Sequence, residues 1–438
     1  MVSKFSVFVG VIFFIASCSP AKKIQENKTV IAPVKNKPAV IVKETNPDLF
    51  IEQLLKRYPQ YFDEILKNKE AYNVQIIYTQ INRQQNNEPV LTSHYFNVDR
   101  NRYYYPASTV KLPTALLALQ RLNELKDKGI NRNTTMITEA AYSGQTPTYN
   151  DPLTPDGKPT ISNYIKRILL VSDNEAFNRL YEFLGPDYIN DHLHKMGYPQ
   201  VQIRHRLQIS LTQDENMHTN PVKFLDEKNN VIYQQPLVSN HIQLSERKDS
   251  LGKSFMKNGV QIQSPMDFSK KNRLALEDLH NILRSLILPN SVPESQRFNL
   301  TADDYNFVYK YMSAFPGESN FPMYDTAQYY DAYGKFLLYG TEKGTKPKHI
   351  RIFNKEGDAY AQLTDVAYIT DLEKNIEFFL TATIYCNSKG VINNDDYDYE
   401  KVGYPFMKNL GKVFYDYEAS RRKKVKPDLV GFKIIYDK

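Results

Sequence analysis

Residues 105–122 read YPASTVKLPTALLALQRL. A Tyr-Pro-Ala turn runs into an apolar stretch in which Leu112, Ala115, Leu116, Leu117, Ala118, Leu119 and Leu122 recur at helical spacing. The turn delivers Ser108 to the start of that helix, where backbone N–H groups lack intrahelical partners and the helix dipole is positive. Lys111 lies one turn further along the same face. Pro113 departs from a regular helix interior, at little cost within the first two turns. An amine beside a hydroxyl becomes a base only if its charged form is disfavoured, as burial and a second cation would bring about. The tetrapeptide alone reads equally as an N-cap serine followed by a surface lysine. Six Ser-x-x-Lys tetrapeptides occur, starting at Ser19, Ser108, Ser245, Ser250, Ser254 and Ser420, and only the one at Ser108 opens a strongly apolar helix.

On both sides of this helix the hydrophobic period changes. Upstream, Ile51, Leu54, Leu55 and Tyr58 have helical spacing up to Pro59, Phe62, Ile65 and Leu66 resume it, and strand-like runs follow over 72–80 and 89–96. Downstream the pattern stays helical for a long stretch, then returns to β-rich runs at 349–354, 362–370 and 377–385. A closing helix places Phe406, Leu410, Val413, Phe414 and Tyr417 on one face. A chain that forms two strands, leaves, and returns for three more predicts an α/β fold of the α+β sandwich kind over residues 49–419. Its mostly antiparallel five-stranded sheet is flanked by N- and C-terminal helices, with an all-helical lobe inserted over about 97–348. Residues 221–266, poor in apolar periods, read as an elaboration of the lobe or its rim. The cleft between sheet and lobe is the expected site.

The ends of the chain carry the charge. The 438 residues hold 56 Lys and Arg against 49 Asp and Glu, a formal charge of +7. Residues 18–48 and 420–438 are basic enough to account for all of it, leaving 49–419 slightly acidic. A nucleic-acid groove is therefore a poor reading and no nucleic-acid partner is expected. The tail with Arg421, Arg422, Lys423, Lys424 and Lys426 reads as a solvated basic terminus. Lys4, the apolar run Val7–Ile15, and Ala16-Ser17 directly before Cys18 have the form of a secretory signal. They resemble a bacterial lipoprotein signal, which implies cleavage after residue 17 and a lipid on the Cys18 thiol. Residues 18–48, with Pro20, Pro33, Pro38 and Pro47, then read as a tether. The implied location is the cell envelope, on the periplasmic side of an outer membrane. Cys386 is the only other cysteine, so no internal disulfide framework is available and the core must hold the fold.

Two further motifs follow the first in chain order. Ser172-Asp173-Asn174 separates the apolar helix 161–171 from the helix 175–184. Its plain role is an N-cap, for which all three residue types are favoured. Asn354-Lys355-Glu356-Gly357 ends the third β-run, where a cation and a residue without a side chain would serve a substrate lying along the sheet edge.

Taken together, Ser108-x-x-Lys111, Ser172-x-Asn174 and Lys355-x-Gly357 resemble the penicillin-recognising serine enzymes, specifically the class A β-lactamase-like family and its D-alanyl-D-alanine peptidase relatives. Pro106-Ala107-Ser108-Thr109-Val110-Lys111 and Asp365-Val366-Ala367-Tyr368-Ile369 point the same way. The resemblance covers about residues 49–419 and agrees with the order of sheet, helical insert and sheet. It implies acyl transfer through Ser108, with Lys111 as base and Ser172 relaying the proton to the leaving nitrogen. Asn174, Lys355 and Gly357 would hold substrate, and the N–H groups of Ser108 and Asp358 would form the oxyanion hole. Two positions depart from the family. Glu356 stands where Thr or Ser is usual, a like charge for a substrate carboxylate. Gln208 and Thr212 stand where a deacylating glutamate and an asparagine are usual, with Asp214 and Glu215 as nearby substitutes or solvated loop residues.

Other chemistry finds no support. His192 and His194, two residues apart, face opposite sides of a helix, and no His-Glu-x-x-His run occurs, so no metal is expected. Gly252-Lys253-Ser254 lacks the earlier glycine of a phosphate loop, a Gly-x-Ser-x-Gly elbow is absent, and no cofactor is implied. The leading expectation is a monomeric, lipid-anchored serine hydrolase acting on β-lactams or peptidoglycan-like peptides. The alternatives are a D-alanyl-D-alanine peptidase-like wall enzyme and a non-catalytic peptidoglycan-binding lipoprotein that keeps the fold.

Overall fold

The computed structural model describes residues 41–42 and 49–438. The signal over 1–17, the lipidation position Cys18, and all of the expected tether except Ile41–Val42 lie outside the described residues.

A mixed sheet forms the middle layer. In chain order its strands are β1 (Ile41–Val42), β2 (Gln75–Arg83), β3 (Pro89–Phe96), β4 (Ile350–Ala359), β5 (Gln362–Asp371) and β6 (Ile376–Tyr385). They lie side by side as β1-β3-β2-β6-β5-β4. The five long strands are antiparallel, as expected. The sixth is a two-residue parallel edge, Ile41 beside Leu91 and Val42 beside Thr92, in the stretch read as tether. The third β-run also continues further than the sequence suggested: Lys355, Glu356 and Gly357 lie inside β4 rather than at its end.

Both faces of this sheet are covered, so every residue of β5 is buried, the polar Thr364, Asp365 and Thr370 included. Val366 and Tyr368 pack with the lobe, whereas Ala367 and Ile369 point to the opposite face. On that face lie α1 (Phe50–Leu55), α2 (Pro59–Lys67) and the C-terminal helix, whose Phe406, Leu410 and Phe414 meet Leu363, Phe378 and Leu380. The lobe carries α3 (Lys111–Glu124), α4 (Ile161–Val171), α5 (Asn174–Lys195), α6 (Leu276–Ile287), α7 (Ala302–Ser313) and, after the lobe, α8 (Tyr404–Ser420) closes the chain's helices. Helix α5 is broken where its first segment was expected to end, after 184: Gly185 takes the non-helical φ 75° and ψ 148°, and a second helical segment follows from Pro186.

The lobe is not all-helical. Thr135–Thr138, Val222–Leu225 and Val231–Gln235 form a three-stranded sheet. Residues 250–267 add two small antiparallel pairings, one of them continued by Val391–Ile392. Nearly half of the stretch 221–266 is thus β-structure at the rim, with Val231, Val260 and Ile262 left exposed, so it gave no alternating apolar signal. The basic terminus is also ordered. Arg421 donates to the side-chain oxygen of Asn82 at 2.6 Å and to Glu418 at 2.8 Å, and Leu429 and Phe432 are buried in the core. Charge outweighed these two apolar residues in the sequence reading.

Candidate active site

Ser108 sits in a tight turn, Ala107–Val110, immediately before α3. Ala107 has φ 45°, a left-handed conformation costly for a residue with a side chain. Thr109 secures the turn through its hydroxyl and its N–H, which donate to the Pro106 carbonyl at 2.6 and 3.0 Å. Strand β4 runs hard against this turn. A Cβ built on Gly357 would stand 2.7 Å from the Ser108 nitrogen and 2.9 Å from the Pro106 oxygen, so only glycine permits the approach. The next residue, Asp358, opens into the cleft.

Lys111 is wholly buried. Its Nζ lies 2.9 Å from Ser108 Oγ and 3.3 Å from Ser172 Oγ, donates to Asn174 Oδ1 at 2.7 Å, and donates to the Ser172 carbonyl. No carboxylate touches it. Burial first, and the Lys355 charge second, hold its ammonium well below the usual lysine range. In the neutral form two N–H donors satisfy Asn174 and the Ser172 carbonyl, and the lone pair is left for the Ser108 hydroxyl.

Ser172 ends α4 with φ 59°, and Asp173 caps α5 by accepting from the Ala176 N–H at 2.8 Å. The capping role read from the tripeptide thus belongs to Asp173, which Arg167 anchors at 2.8 Å. Its neighbours turn to the site. Ser172 Oγ accepts from Lys355 Nζ at 2.8 Å. Asn174 joins Lys111 to Gln208, its Nδ2 donating to Gln208 Oε1 at 2.6 Å. The loop bearing Gln208 is pinned to α5, since Asn178 exchanges bonds of 3.0 and 2.8 Å with the backbone of Leu207 and Arg206 pairs with buried Glu182 at 2.8 Å.

Lys355 is also fully buried. Its Nζ meets the Glu356 carboxylate at 2.8 Å and the Glu356 carbonyl at 3.0 Å. Burial raises the Glu356 carboxyl, but the pairing with Lys355 outweighs it and leaves the group below its ordinary range. Glu356 does not line the cleft; its carboxylate is turned to Lys355 instead. Beneath this strand Asn354 links Lys335, which the sequence did not single out, to Asp365. It accepts from Lys335 Nζ at 2.9 Å and donates to Asp365 at 2.8 Å, and burial moves Lys335 down and Asp365 up, to about 8 and about 7.

Asp214 and Glu215 have their hydrogen-bond partners elsewhere than Ser108, Lys111 and Ser172. Glu215 closes a capping box with Thr212, and Asp214 accepts from the Tyr142 hydroxyl at 2.5 Å. Neither lines the cleft.

The cleft itself has a volume of about 1030 Å³ and receives Ser108, Ser172, Asn174, Gln208 and Asp358. Sequence reasoning missed its outer wall, built from Tyr329, Tyr333, Tyr360, Tyr397, Tyr399 and Tyr404. The only available signal was the excess of tyrosine, 32 in the chain, which has no spacing to locate it. Among the described residues no group of acidic, histidine or cysteine side chains is arranged to hold a metal ion. Among the described residues no helix is long and apolar enough to cross a membrane.

Residues 59–291 match the family model for the Beta-lactamase2 family, described as a β-lactamase enzyme family. This span includes Ser108, Lys111, Ser172, Asn174 and Gln208 and stops before Lys355. Solved structures similar to this chain include a β-lactamase from Sphaerobacter thermophilus, with 12% identity over 86% of this chain and 100% of that one at a TM-score of 0.46. Another is a β-lactamase from Burkholderia phymatum, with 12% identity over 84% of this chain and 100% of that one at 0.46. A third is PBP-A, with 13% identity over 86% and 98% at 0.43. No curated protein matches the chain.

Proposed function

Since this chain belongs to the β-lactamase enzyme family, we propose that it is a serine hydrolase that opens β-lactam or related amide bonds through an acyl-enzyme on Ser108. The observation that carries the reading is the buried Lys111 amine, 2.9 Å from Ser108 Oγ and without a carboxylate partner. Neutral Lys111 takes the Ser108 proton as Oγ bonds to the carbonyl carbon. The N–H groups of Ser108 and Asp358 receive the developing oxyanion, each such donor being worth about 3 to 4 kcal/mol in the transition state. The proton then passes from Lys111 through the Ser172 hydroxyl to the leaving nitrogen, and the C–N bond breaks. Lys355, by donating to Ser172 Oγ, turns the proton of that hydroxyl toward the leaving group.

Hydrolysis of the acyl-enzyme needs a second base aimed at water. Gln208 occupies that position and accepts no proton, which supports a long-lived intermediate. The same feature favours peptide-like wall precursors, and a D-alanyl-D-alanine peptidase-like activity, over rapid antibiotic turnover. The deciding experiment is the intact mass of the protein after exposure to a penicillin and, separately, to a fluorophosphonate. An adduct absent from Ser108→Ala and from a folded Lys111→Ala supports the assignment, and unreactive protein would leave a binding role without turnover. We also propose that Cys18 is lipidated and anchors the protein in the cell envelope, on the periplasmic side of an outer membrane. The support is the apolar run and small pair preceding it, and mass analysis of the N-terminal peptide tests it.

A further inference from the structure

We propose that the cleft selects acyl donors bearing a positive charge and discriminates against those that depend on a carboxylate for binding. The inference rests on Ser108 being the nucleophile, and it begins with what Lys355 has left to offer. An ammonium has three donors. Those of Lys355 meet Ser172 Oγ at 2.8 Å, the Glu356 carbonyl at 3.0 Å and the Glu356 carboxylate at 2.8 Å. No donor remains for a substrate carboxylate, and the charge is already neutralised. Lys111 is similarly committed. Among the described residues no lysine, arginine or histidine lines the cleft.

The carboxylates that do line it divide into two groups. Asp173 and Glu175 are paired with Arg167 and Arg179 at 2.8 and 2.7 Å. Asp358, Asp395 and Glu400 are exposed in the cleft, and among the described residues none has a basic partner within ion-pair distance. Asp358 follows Gly357, the residue packed against the Ser108 turn, and its charge reaches Tyr333 on the cleft wall, where an anionic substrate group would be repelled.

Tyrosine rings complete the selection. Tyr329 and Tyr333 meet edge to face with centroids 4.9 Å apart, and Tyr399 and Tyr404 stand 6.0 Å apart. Both members of the second pair feel the Asp358 charge. Phenol faces beside unpaired carboxylates are the surroundings an ammonium prefers and a carboxylate does not. The substrate class is therefore a peptide-like amide whose acyl portion carries an amine.

The test uses the full chain and three fluorophosphonates identical except that the alkyl arm ends in a primary ammonium, a carboxamide or a carboxylate. Labelling rates are read by intact mass, and the modified residue by peptide mapping. The expected order is ammonium fastest and carboxylate slowest, with about tenfold or more between the extremes at low salt and a smaller gap in about 0.5 M salt. Glu400→Gln combined with Asp395→Asn, both exposed positions, should narrow the ammonium advantage. Glu356→Thr should speed the carboxylate arm relative to the carboxamide by freeing Lys355. Equal rates for all three arms on Ser108, or the carboxylate arm fastest, overturn the inference while leaving the nucleophile in place. Failure of every arm to label Ser108 overturns the nucleophile assignment and this inference with it.

Discussion

Gly357→Ala is the smallest change that tests the arrangement of the site. The added methyl would stand 2.7 Å from the Ser108 nitrogen, 2.9 Å from the Pro106 oxygen and 2.9 Å from the Thr109 nitrogen. All three are backbone atoms of one turn, so no side chain can swing aside. Ordinary contact at such distances requires a retreat of roughly 0.5 to 0.8 Å. Ala107 already sits at φ 45° and the Thr109 bonds to Pro106 close the turn, so it moves as a unit, away from β4. That motion widens the gap between the Ser108 and Asp358 N–H groups and pulls Oγ from Lys111. A misplacement approaching 1 Å is worth about 10² in rate, whereas overpacking a single methyl destabilises by about 1 to 3 kcal/mol. The expected result is an acylation rate lowered about 30- to 100-fold by rapid-quench mass spectrometry with a fluorophosphonate, in a protein that still melts cooperatively a few degrees lower. Acylation within threefold of the parent would refute the close apposition of β4 and the Ser108 turn.

Gln208→Glu keeps an oxygen acceptor for Asn174 Nδ2 and adds a base, so burst kinetics with a penicillin should show the slow phase quickened by about 10² or more and the burst little changed. Because Lys111 is depressed by burial and must be neutral to act, acylation should fall as pH drops through its lowered titration, with a midpoint well under that of free lysine. His280, buried between Thr79 and Thr381, is pushed by burial, then by Arg284, down to about 3. Below pH 6.5 the unfolded chain takes a proton that the folded chain refuses, so stability is lost from there down to about 3. Denaturant titrations should lose about 2 kcal/mol more between pH 7 and 5 in the parent than in His280→Gln. Arg421→Ala leaves the buried Glu418 short of a partner and should destabilise by about 3 kcal/mol, visible in the unfolding midpoint.

The central sheet was legible because its β-rich runs return after a helical interval, and the Ser108 turn was legible because it opens a strongly apolar helix. Local pattern failed where the structure is made by distant partners. The rim strands at 222–262 leave apolar residues exposed and alternate weakly, so only their pairing reveals them. The tail looked solvated because the ion pair with Glu418 and the contact with Asn82 depend on residues remote in sequence or masked by charge. The fate of Glu356 was the least legible of all. Strand alternation alone would direct it away from Lys355, and only the fold shows the adjacent side chains paired. The hydrogen bond from Asn174 to Gln208 likewise joins residues 34 apart and had no local signal.

The sheet joins residues near the start of the domain to residues near its end: Gln80 faces Phe378, and Ile76 faces Ala382. Ser108 and Lys355 thus meet only when a loop of about 250 residues closes, a slow and entropically costly event compared with forming either the lobe or a hairpin. A nascent or partly unfolded chain contains the serine and its neighbouring lysine without Lys355 to depress that lysine or orient Ser172. On the proposed mechanism reactivity is accordingly a property of the finished chain, and a product shortened before β4 is expected to lack it.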